Sequence, residues 1–159
     1  MYNVTMKKTY YKSPVGILEI VCENNLLISL KLVDNKEQEK PETDFLKNIK
    51  FQLDEYFSGE RKYFDIKIKP NGTEFQKKVW TELLKIPYGK TKSYSEIAEN
   101  IGNKNAQRAV GSACNKNPVM IIIPCHRVIS KNGNLGGFAY GNPIKQKLLN
   151  TEKYTISPV

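Results

Sequence analysis

Long apolar runs are absent from this chain of 159 residues, which contains only three cysteines, one histidine and one tryptophan. A helix that spans a bilayer needs about 20 consecutive apolar residues, so no membrane segment is predicted. Residues 1–14 also lack the continuous apolar stretch of a secretory signal. We therefore expect a cytoplasmic protein with no membrane partner, whose 40% hydrophobic residues suffice to build a core.

The three cysteines, Cys22, Cys114 and Cys125, form no CxxC pair and are odd in number. This spacing argues against a disulfide framework and against a cysteine zinc cluster. The single histidine, His126, cannot complete a tetrahedral site with such dispersed thiols. We therefore predict reduced thiols, no metal and no cofactor.

Acidic residues become scarce after Pro70, where the segment KIKPNG is typical of a linker. Residues 1–70 contain 12 Lys+Arg and 11 Asp+Glu, a net charge of +1, whereas residues 71–159 contain 13 and 5, a net charge of +8. A basic surface raises the affinity for polyanions through neutralisation of phosphates and release of counterions. Charge alone leaves nucleic-acid binding and mere solubility as equal alternatives.

The chain is predicted to have an α+β fold with two domains, of which residues 1–70 form an antiparallel sheet with one helix. Two strands at 17–22 and 26–32 flank a polar turn, and the alternating stretch 64–68 predicts a further strand. Between them, apolar residues recur every three or four positions, which predicts a helix that ends at Ser58-Gly59. The residues on this helix face are Phe45, Leu46, Ile49, Leu53, Tyr56 and Phe57.

Residues 71–159 are predicted to form a helical domain with a helix-turn-helix. Capping boxes at 73–76 and 93–96 each begin a helix, and Gly102-Asn103-Lys104 joins the second one to a helix over 105–114. A last helix is expected from the Asn142-Pro143 cap to near Tyr154. The small residues of 105–114 suit close approach to a groove of DNA, although simple helix packing explains them as well.

A buried strand over 119–123 is expected to deliver the segment Pro124-Cys125-His126-Arg127. Cysteine reacts as the thiolate, and basic neighbours ease its deprotonation. Adjacent residues of an extended chain point to opposite faces, so His126 would act on Cys125 through a turn or a bridging water. Glu152, the only carboxylate of the closing segment, is the candidate partner of the imidazole. Taken alone, the pair favours a buried thiol beside a structural histidine over a reactive pair, because free cysteine is among the most buried residue types.

The segment from Asn117 to Val128 resembles the O6-alkylguanine-DNA alkyltransferase family, also called methylated-DNA-protein-cysteine methyltransferases. The likeness extends over most of the chain, through SPVG at 13–16, YFSG at 56–59, GTEFQ at 72–76, IPYG at 86–89 and RAVG at 108–111. It implies repair of double-stranded DNA by transfer of an alkyl group from O6-alkylguanine, or O4-alkylthymine, to the protein, once per molecule. It also implies a monomer that needs no protein partner.

The resemblance implies a role for each matching residue. Cys125 is the acceptor thiolate, His126 its water-mediated base, Glu152 the carboxylate partner, Asn117 the hinge that braces the turn, and Tyr94 a contact to the flipped base or its phosphate. The carbonyls of Cys125 and Val128 read the guanine amino group, and Arg108 fills the gap in the duplex. The pocket-lining loop contributes Gly136, Phe138, Ala139 and Tyr140. The helix that enters the minor groove contributes Ala106, Gln107, Arg108, Ala109, Gly111 and Ser112.

Tyr140 departs from the family, which usually has a second small residue at this position of the loop. A bulky ring there is expected to narrow the pocket against alkyl groups larger than methyl or ethyl. Three other functions are alternatives: a non-catalytic damage binder of the alkyltransferase-like kind, a cysteine hydrolase and a helix-turn-helix regulator. The presence of Cys125 argues against the first, the adjacency of Cys125 and His126 against the second, and the lack of an evident dimerisation helix against the third.

Overall fold

The computed structural model describes residues 6–38 and 40–153. The chain divides into two compact units, Met1–Asn71 and Gly72–Val159. The described part of the first unit contains β1 (Met6–Ser13), β2 (Gly16–Glu23), β3 (Leu26–Val33) and α1 (Asp44–Phe57). That of the second contains α2 (Glu74–Leu83), β4 (Lys92–Ser93), α3 (Tyr94–Asn100), α4 (Gln107–Asn115), a 3-10 helix (Cys125–Arg127), β5 (Val128–Ile129) and α5 (Asn142–Thr151). The α+β class is confirmed.

The first unit is built on an antiparallel sheet in the order β1-β2-β3. The predicted pair of strands is confirmed, and the turn between them places Asn24 and Asn25 at φ 51° and 61°. Two successive positive φ values belong to a hairpin turn whose twist matches that of the strands. β1 was not predicted, because it buries three consecutive residues, Thr9, Tyr10 and Tyr11, instead of alternating.

The helix α1 covers this sheet with the predicted apolar stripe, in which Leu46, Ile49, Leu53 and Tyr56 are buried. Its end at the Ser58 C-cap is also confirmed. Phe45 and Phe57, by contrast, are only half-buried.

The predicted strand over 64–68 is wrong. Gln52 of α1 accepts a hydrogen bond from the Asp65 amide (2.8 Å) and donates one to the Asp65 carbonyl (3.0 Å). These backbone groups are therefore not available to a ladder, and only Ile68 forms an isolated parallel bridge, with Leu27. Side-chain capture of the backbone has replaced a strand that the alternating sequence favoured.

Both predicted capping boxes of the second unit are confirmed. Thr73 begins α2 and Ser93 begins α3, each accepting a hydrogen bond from the amide three residues on. Trp80 of α2 is buried and donates from Nε1 to the Ala113 carbonyl of α4 at 2.9 Å, which ties the two helices together. A buried indole N–H usually finds such a partner.

The helix pair α3 and α4 corresponds to the predicted helix-turn-helix. The first helix ends at the Ile101 C-cap, and Gly102 turns the chain at φ 85°. The second begins at Gln107, two residues later than predicted, because residues 103–106 form a turn in which the Ala106 amide donates to the Asn103 carbonyl at 3.0 Å. The last helix α5 has Gly141 at its N-cap instead of Asn142 and ends at Thr151, while Tyr154 lies outside the described residues. Within residues 6–38 and 40–153, no helix combines the length and apolar character needed to cross a bilayer.

Candidate active site

The apolar run 119–123 is buried as expected, but it is a turn and not a strand. Ile121 lies at φ 72°, in the left-handed region, and Ile123 donates its amide hydrogen to the Val119 carbonyl at 3.0 Å. Asn117 closes this turn with its side chain, which accepts from the Val119 amide (2.9 Å) and donates to the Ile123 carbonyl (2.7 Å). The side-chain amide of Asn117 thus binds both ends of the turn. These bonds can hold Ile121, a β-branched residue, in its strained conformation between them.

Cys125, His126 and Arg127 follow as a single 3-10 turn, in which Arg127 donates its amide hydrogen to the Pro124 carbonyl. The extended conformation assumed for this segment is therefore wrong, and the Cys125 and His126 side chains project from one tight turn. The chain continues into β5, which pairs in parallel with β4. Since β4 leads directly into Tyr94, this pairing connects the start of α3 to the reactive turn.

His126 and Glu152 meet in the buried interior of the second unit. The imidazole Nε2 lies 2.6 Å from the Glu152 Oε2, and both side chains are fully buried. The other ring nitrogen, Nδ1, is buried and has no hydrogen-bond partner among the residues that the structure describes. Because an ionised carboxylate can only accept, the Nε2–H donates to Glu152, and the lone pair of Nδ1 is left as the basic position of the ring.

Arg127 binds the same carboxylate on its other side. Its Nε donates to Glu152 Oε1 (2.8 Å), its Nη2 to Oε2 (3.1 Å) and its Nη1 to the Ile86 carbonyl (2.7 Å). Burial on its own raises the pKa of Glu152, but the hydrogen bonds from His126 and Arg127 and the charge of Arg127 outweigh it and hold that pKa well below its usual range. Glu152 is therefore an anion at neutral pH.

The pKa of His126 is lowered, chiefly by burial and further by the charges of Arg127 and Lys145, against the opposing attraction of Glu152. The ring is therefore neutral at rest and able to accept a proton. Burial also raises the pKa of the Cys125 thiol, although a hydrogen bond with Asn117 and the charge of Lys145 act in the opposite direction. A buried thiol beside a neutral imidazole is a nucleophile that needs its base.

The sequence analysis did not predict a role for Lys145, although its side chain is among the most deeply buried of the described residues. Its ammonium donates to the carbonyls of Val128 (2.6 Å), Leu135 and Gly137 (3.2 Å), and it lies 3.5 Å from the Tyr94 hydroxyl. Burial lowers its pKa to about 8, against the charges of Cys125 and Cys114, which raise it. Its position three and four residues before Leu148 and Leu149, on the buried face of α5, was the available signal.

The predicted pocket loop packs on Tyr94. The Tyr94 hydroxyl donates to the Gly137 carbonyl at 3.3 Å, and a Cβ added to Gly136, at φ 74°, would lie 2.9 Å from the Tyr94 ring. Phe138 and Tyr140 stack edge to face with ring centres 5.8 Å apart, and Ala139 between them is exposed. Burial, followed by the charges of Cys114 and Cys125, raises the pKa of Tyr94 to about 12, so its hydroxyl keeps its proton.

The residues predicted to contact DNA divide between surface and interior. Gln107, Arg108, Ala109 and Ser112 are exposed on α4, whereas Ala106 is buried and presents no side chain to a partner. Gly111 is half-buried against Tyr94. The described residues contain no group of three or more His, Cys, Asp or Glu side chains arranged to hold a metal ion.

The second unit combines a helix-turn-helix and a basic charge balance with a buried cysteine beside a histidine–carboxylate pair, which are the features of a DNA-acting protein with a candidate nucleophilic thiol. Two family profiles match the chain: the DNA binding domain of 6-O-methylguanine DNA methyltransferase over residues 74–154, and the ribonuclease-like domain of the same enzyme over residues 6–70. The chain belongs to this family.

Individual relatives agree with the family assignment. The methylated-DNA–protein-cysteine methyltransferase of Methanosarcina acetivorans is 47% identical over 148 residues, which are 89% of this chain and 95% of that protein. The crystal structure of Mycobacterium tuberculosis O6-methylguanine methyltransferase superposes with a TM-score of 0.85 at 39% identity, over 94% of this chain and 93% of that one. A second structure, M. tuberculosis OGT in complex with DNA, has a TM-score of 0.83 at 41% identity and covers 91% of each chain.

Proposed function

We propose that Cys125 is the acceptor in the reaction of this family, so that the chain repairs alkylated DNA by moving the alkyl group from guanine O6 to its own Sγ, once per molecule. Direct alkyl transfer from DNA to protein is the activity of the family to which the chain belongs. The observation that carries the assignment to Cys125 is a buried contact of its neighbour. His126, which follows Cys125 in the 3-10 turn, contacts Glu152 at the C-cap of α5. Cys22 has burial but no base beside it in the sequence.

In the proposed step, the thiol proton of Cys125 passes to Nδ1 of His126, through a bridging water, and the imidazolium is stabilised by Glu152. Sγ then attacks the alkyl carbon in line with the bond to O6. A C–S bond forms, the C–O bond breaks, and the electron pair of that bond goes to O6 of guanine. Tyr94, whose raised pKa keeps its hydroxyl protonated, and nearby N–H donors stabilise or protonate the leaving base.

The product on the protein is a thioether, which has no leaving group that water can displace. Each molecule is therefore consumed by one transfer. The single turnover follows from the stability of the new C–S bond towards water.

Base flipping is required because O6 lies within the base stack and the paired edge of the duplex, and it costs a few kcal/mol. The exposed Arg108 on α4 supplies a side chain to occupy the gap, and exposed Gln107, Ala109 and Ser112 adjoin the same groove. The carbonyls of Cys125 and Val128 remain the proposed readers of the guanine amino group, with the Val128 carbonyl already accepting from Lys145.

Intact mass after incubation with a duplex that contains one O6-methylguanine tests this function. The expected result is the gain of one methyl group per protein, mapped to Cys125 and absent from Cys125→Ser, with Cys114→Ser as the matched control that retains the gain. Tight lesion binding without any gain would support the damage-binding alternative. Repeated product formation without a stable adduct would support a hydrolase.

Tyr140 is proposed to limit the alkyl group to methyl or ethyl, since its ring packs against Phe138 in the pocket loop. Rates of transfer from O6-benzylguanine and O6-methylguanine duplexes measure this selection. Tyr140→Gly is expected to speed the benzyl reaction relative to the methyl reaction. Equal rates for the two substrates in the unmodified protein would contradict the proposal.

A further inference from the structure

Among the described residues, His126, Arg127 and Gly89 together direct four hydrogen-bond donors at the Glu152 carboxylate. Oε2 faces the His126 Nε2 (2.6 Å) and Arg127 Nη2 (3.1 Å), and Oε1 faces Arg127 Nε (2.8 Å) and the Gly89 amide (3.2 Å). A carboxylate has about four lone-pair sites, and these bonds engage both of its oxygens. Arg127 supplies two of the four bonds, and through its planar fork it fixes the plane of the carboxylate as well as its charge.

Arg127 is itself held in place from the far side. Its Nη1 donates to the Ile86 carbonyl at 2.7 Å, and the guanidinium carbon lies 5.9 Å from the centre of the Tyr88 ring. The Tyr88 hydroxyl in turn donates to the Thr151 carbonyl at 3.2 Å, at the end of α5. The fork therefore cannot swing away from Glu152 without losing several contacts in a buried environment.

We propose that Arg127 is a positioning residue for the transfer: by holding Glu152 as an oriented anion, it keeps His126 neutral, with its proton on Nε2 and Nδ1 free to act as the base. This inference rests on the proposed roles of Cys125 and His126. Without the guanidinium, a buried uncompensated carboxylate would take up a proton or draw one onto the ring. In the first case Glu152 donates to Nε2 and Nδ1 carries the hydrogen, and in the second both nitrogens carry one. Either change removes the free Nδ1.

The charged and titratable groups around the ring all bear on this balance. Glu152 and Lys145 approach from α5 and its C-terminal cap, while Arg127 and Cys125 belong to the 3-10 turn. Lys145 donates to three carbonyls and to the Tyr94 hydroxyl, so none of these four hydrogen bonds involves Arg127 or Glu152. The positive charge that is bonded to Glu152 therefore comes from Arg127.

His126 is the only histidine of the chain, so its ring can be observed without interference. In protein labelled with ¹⁵N-histidine, the two ring nitrogens distinguish the Nε2–H tautomer, the Nδ1–H tautomer and the imidazolium. The unmodified protein at pH 7 is expected to show a neutral ring with hydrogen on Nε2. An imidazolium, or hydrogen on Nδ1, would overturn the proposal, and this measurement requires no variant to fold.

Arg127→Met and Arg127→Lys separate the charge from the fork. The methionine variant is expected to lose the neutral ring with a free Nδ1 and to react about a hundredfold more slowly at pH 7, which is the lower range for loss of a general base. The lysine variant keeps the charge but binds one oxygen, so we expect a neutral ring and about a tenfold slower transfer. Arg61→Met and Arg61→Lys, in the partly exposed pair with Glu55 of the other unit, are the matched controls.

A further readout is the dependence of the transfer rate on pH, measured only on the molecules that can transfer. Its acid limb is the pH range over which the rate falls as His126 takes up a proton. It should move to higher pH in Arg127→Met only. A purely structural role would lower the competent fraction and leave both the limb and the ring tautomer unchanged, and that result would overturn the proposal. If the methyl adduct were absent from Cys125 while the tautomer behaved as expected, the proposed function would fail and the effect of Arg127 on His126 would stand.

Discussion

The two units of this protein contain the same two chemical features, a buried thiol and an arginine–glutamate pair, and only one unit combines them into a site. Cys22 and the Arg61–Glu55 pair belong to the first unit, and Cys125 and the Arg127–Glu152 pair to the second. About a quarter of each side chain is exposed in the first pair, whereas Glu152 is fully buried. Burial makes the second pair strong enough to set the protonation of a neighbour, while water screens the first.

The largest difference is expected between the two thiols. Cys125→Ser should abolish transfer of the methyl group, because a serine hydroxyl has no comparable nucleophilicity beside a neutral histidine. Cys22→Ser should leave the yield of transfer near one per molecule, because burial raises the pKa of Cys22 to about 12 and no base lies beside it in the sequence to take its proton. Quantitative mass spectrometry of the adduct compares the two. Persistent methylation of the Cys125→Ser chain would contradict the assignment.

A second difference concerns the two carboxylates. Glu152→Gln leaves a buried guanidinium without its counter-ion, so the free energy of unfolding should fall by about 3 to 5 kcal/mol. Glu55→Gln breaks a pair that water screens and should lower it by at most about 1 kcal/mol. Urea unfolding of both variants measures the contrast. Equal losses would mean that burial does not distinguish the pairs.

Acidification should separate the units further. The folded pKa of Glu152 is depressed, so the stability that it contributes is present above the unfolded value of about 4.3 and is lost as pH falls. His126 is held neutral by the fold, so stability also falls once pH drops below its unfolded value of about 6.5. Amide exchange of the second unit should therefore accelerate below about pH 6.5. Exchange that is independent of pH down to pH 5, after correction for the intrinsic rate, would contradict this.

The smallest expected difference is in affinity for DNA. Arg108→Ala removes one exposed cation and should weaken binding to a lesion duplex by about tenfold, with a decrease of about one in the slope of log affinity against log salt. Arg61→Ala removes an equal charge from the first unit, where residues 1–70 have a net charge of only +1. It should change neither the affinity for the lesion duplex nor the salt slope. Fluorescence anisotropy at several salt concentrations compares the variants. An equal effect of both would assign the affinity to net charge and not to α4.

Elements specified by neighbouring residues could be predicted from the sequence. The two capping boxes, the Asn24-Asn25 hairpin and the stripe of α1 all depend on contacts within a few residues, and the structure confirms them. The errors occurred where the side chain of a residue outside the segment bound the backbone of that segment. Gln52 captured the backbone of Asp65 and prevented a strand, and the Asn117 side chain closed a turn in an apolar run whose composition favoured a strand.

The candidate site shows the same division. Cys125, His126 and Glu152 could be named from residue type and family resemblance, because reactive groups are rare in this chain and the motif around them is specific. Lys145 could not be distinguished from other lysines without its burial, and Arg127 was seen only as a positive neighbour. Their partners, the Val128 carbonyl and the Glu152 carboxylate, lie 17 and 25 residues away along the chain.

The sequence by itself determined the class of fold and the family, and it singled out Cys125 as the candidate acceptor, since local patterns and a specific motif suffice for these. Only the tertiary structure decided which nitrogen of His126 is basic, that Glu152 is shared with Arg127, and that a lysine is buried beside the site. The physical reason is that protonation depends on burial and on charges a few ångströms away. Those distances are set by the packing of α5 against the 3-10 turn and by no feature of either segment alone.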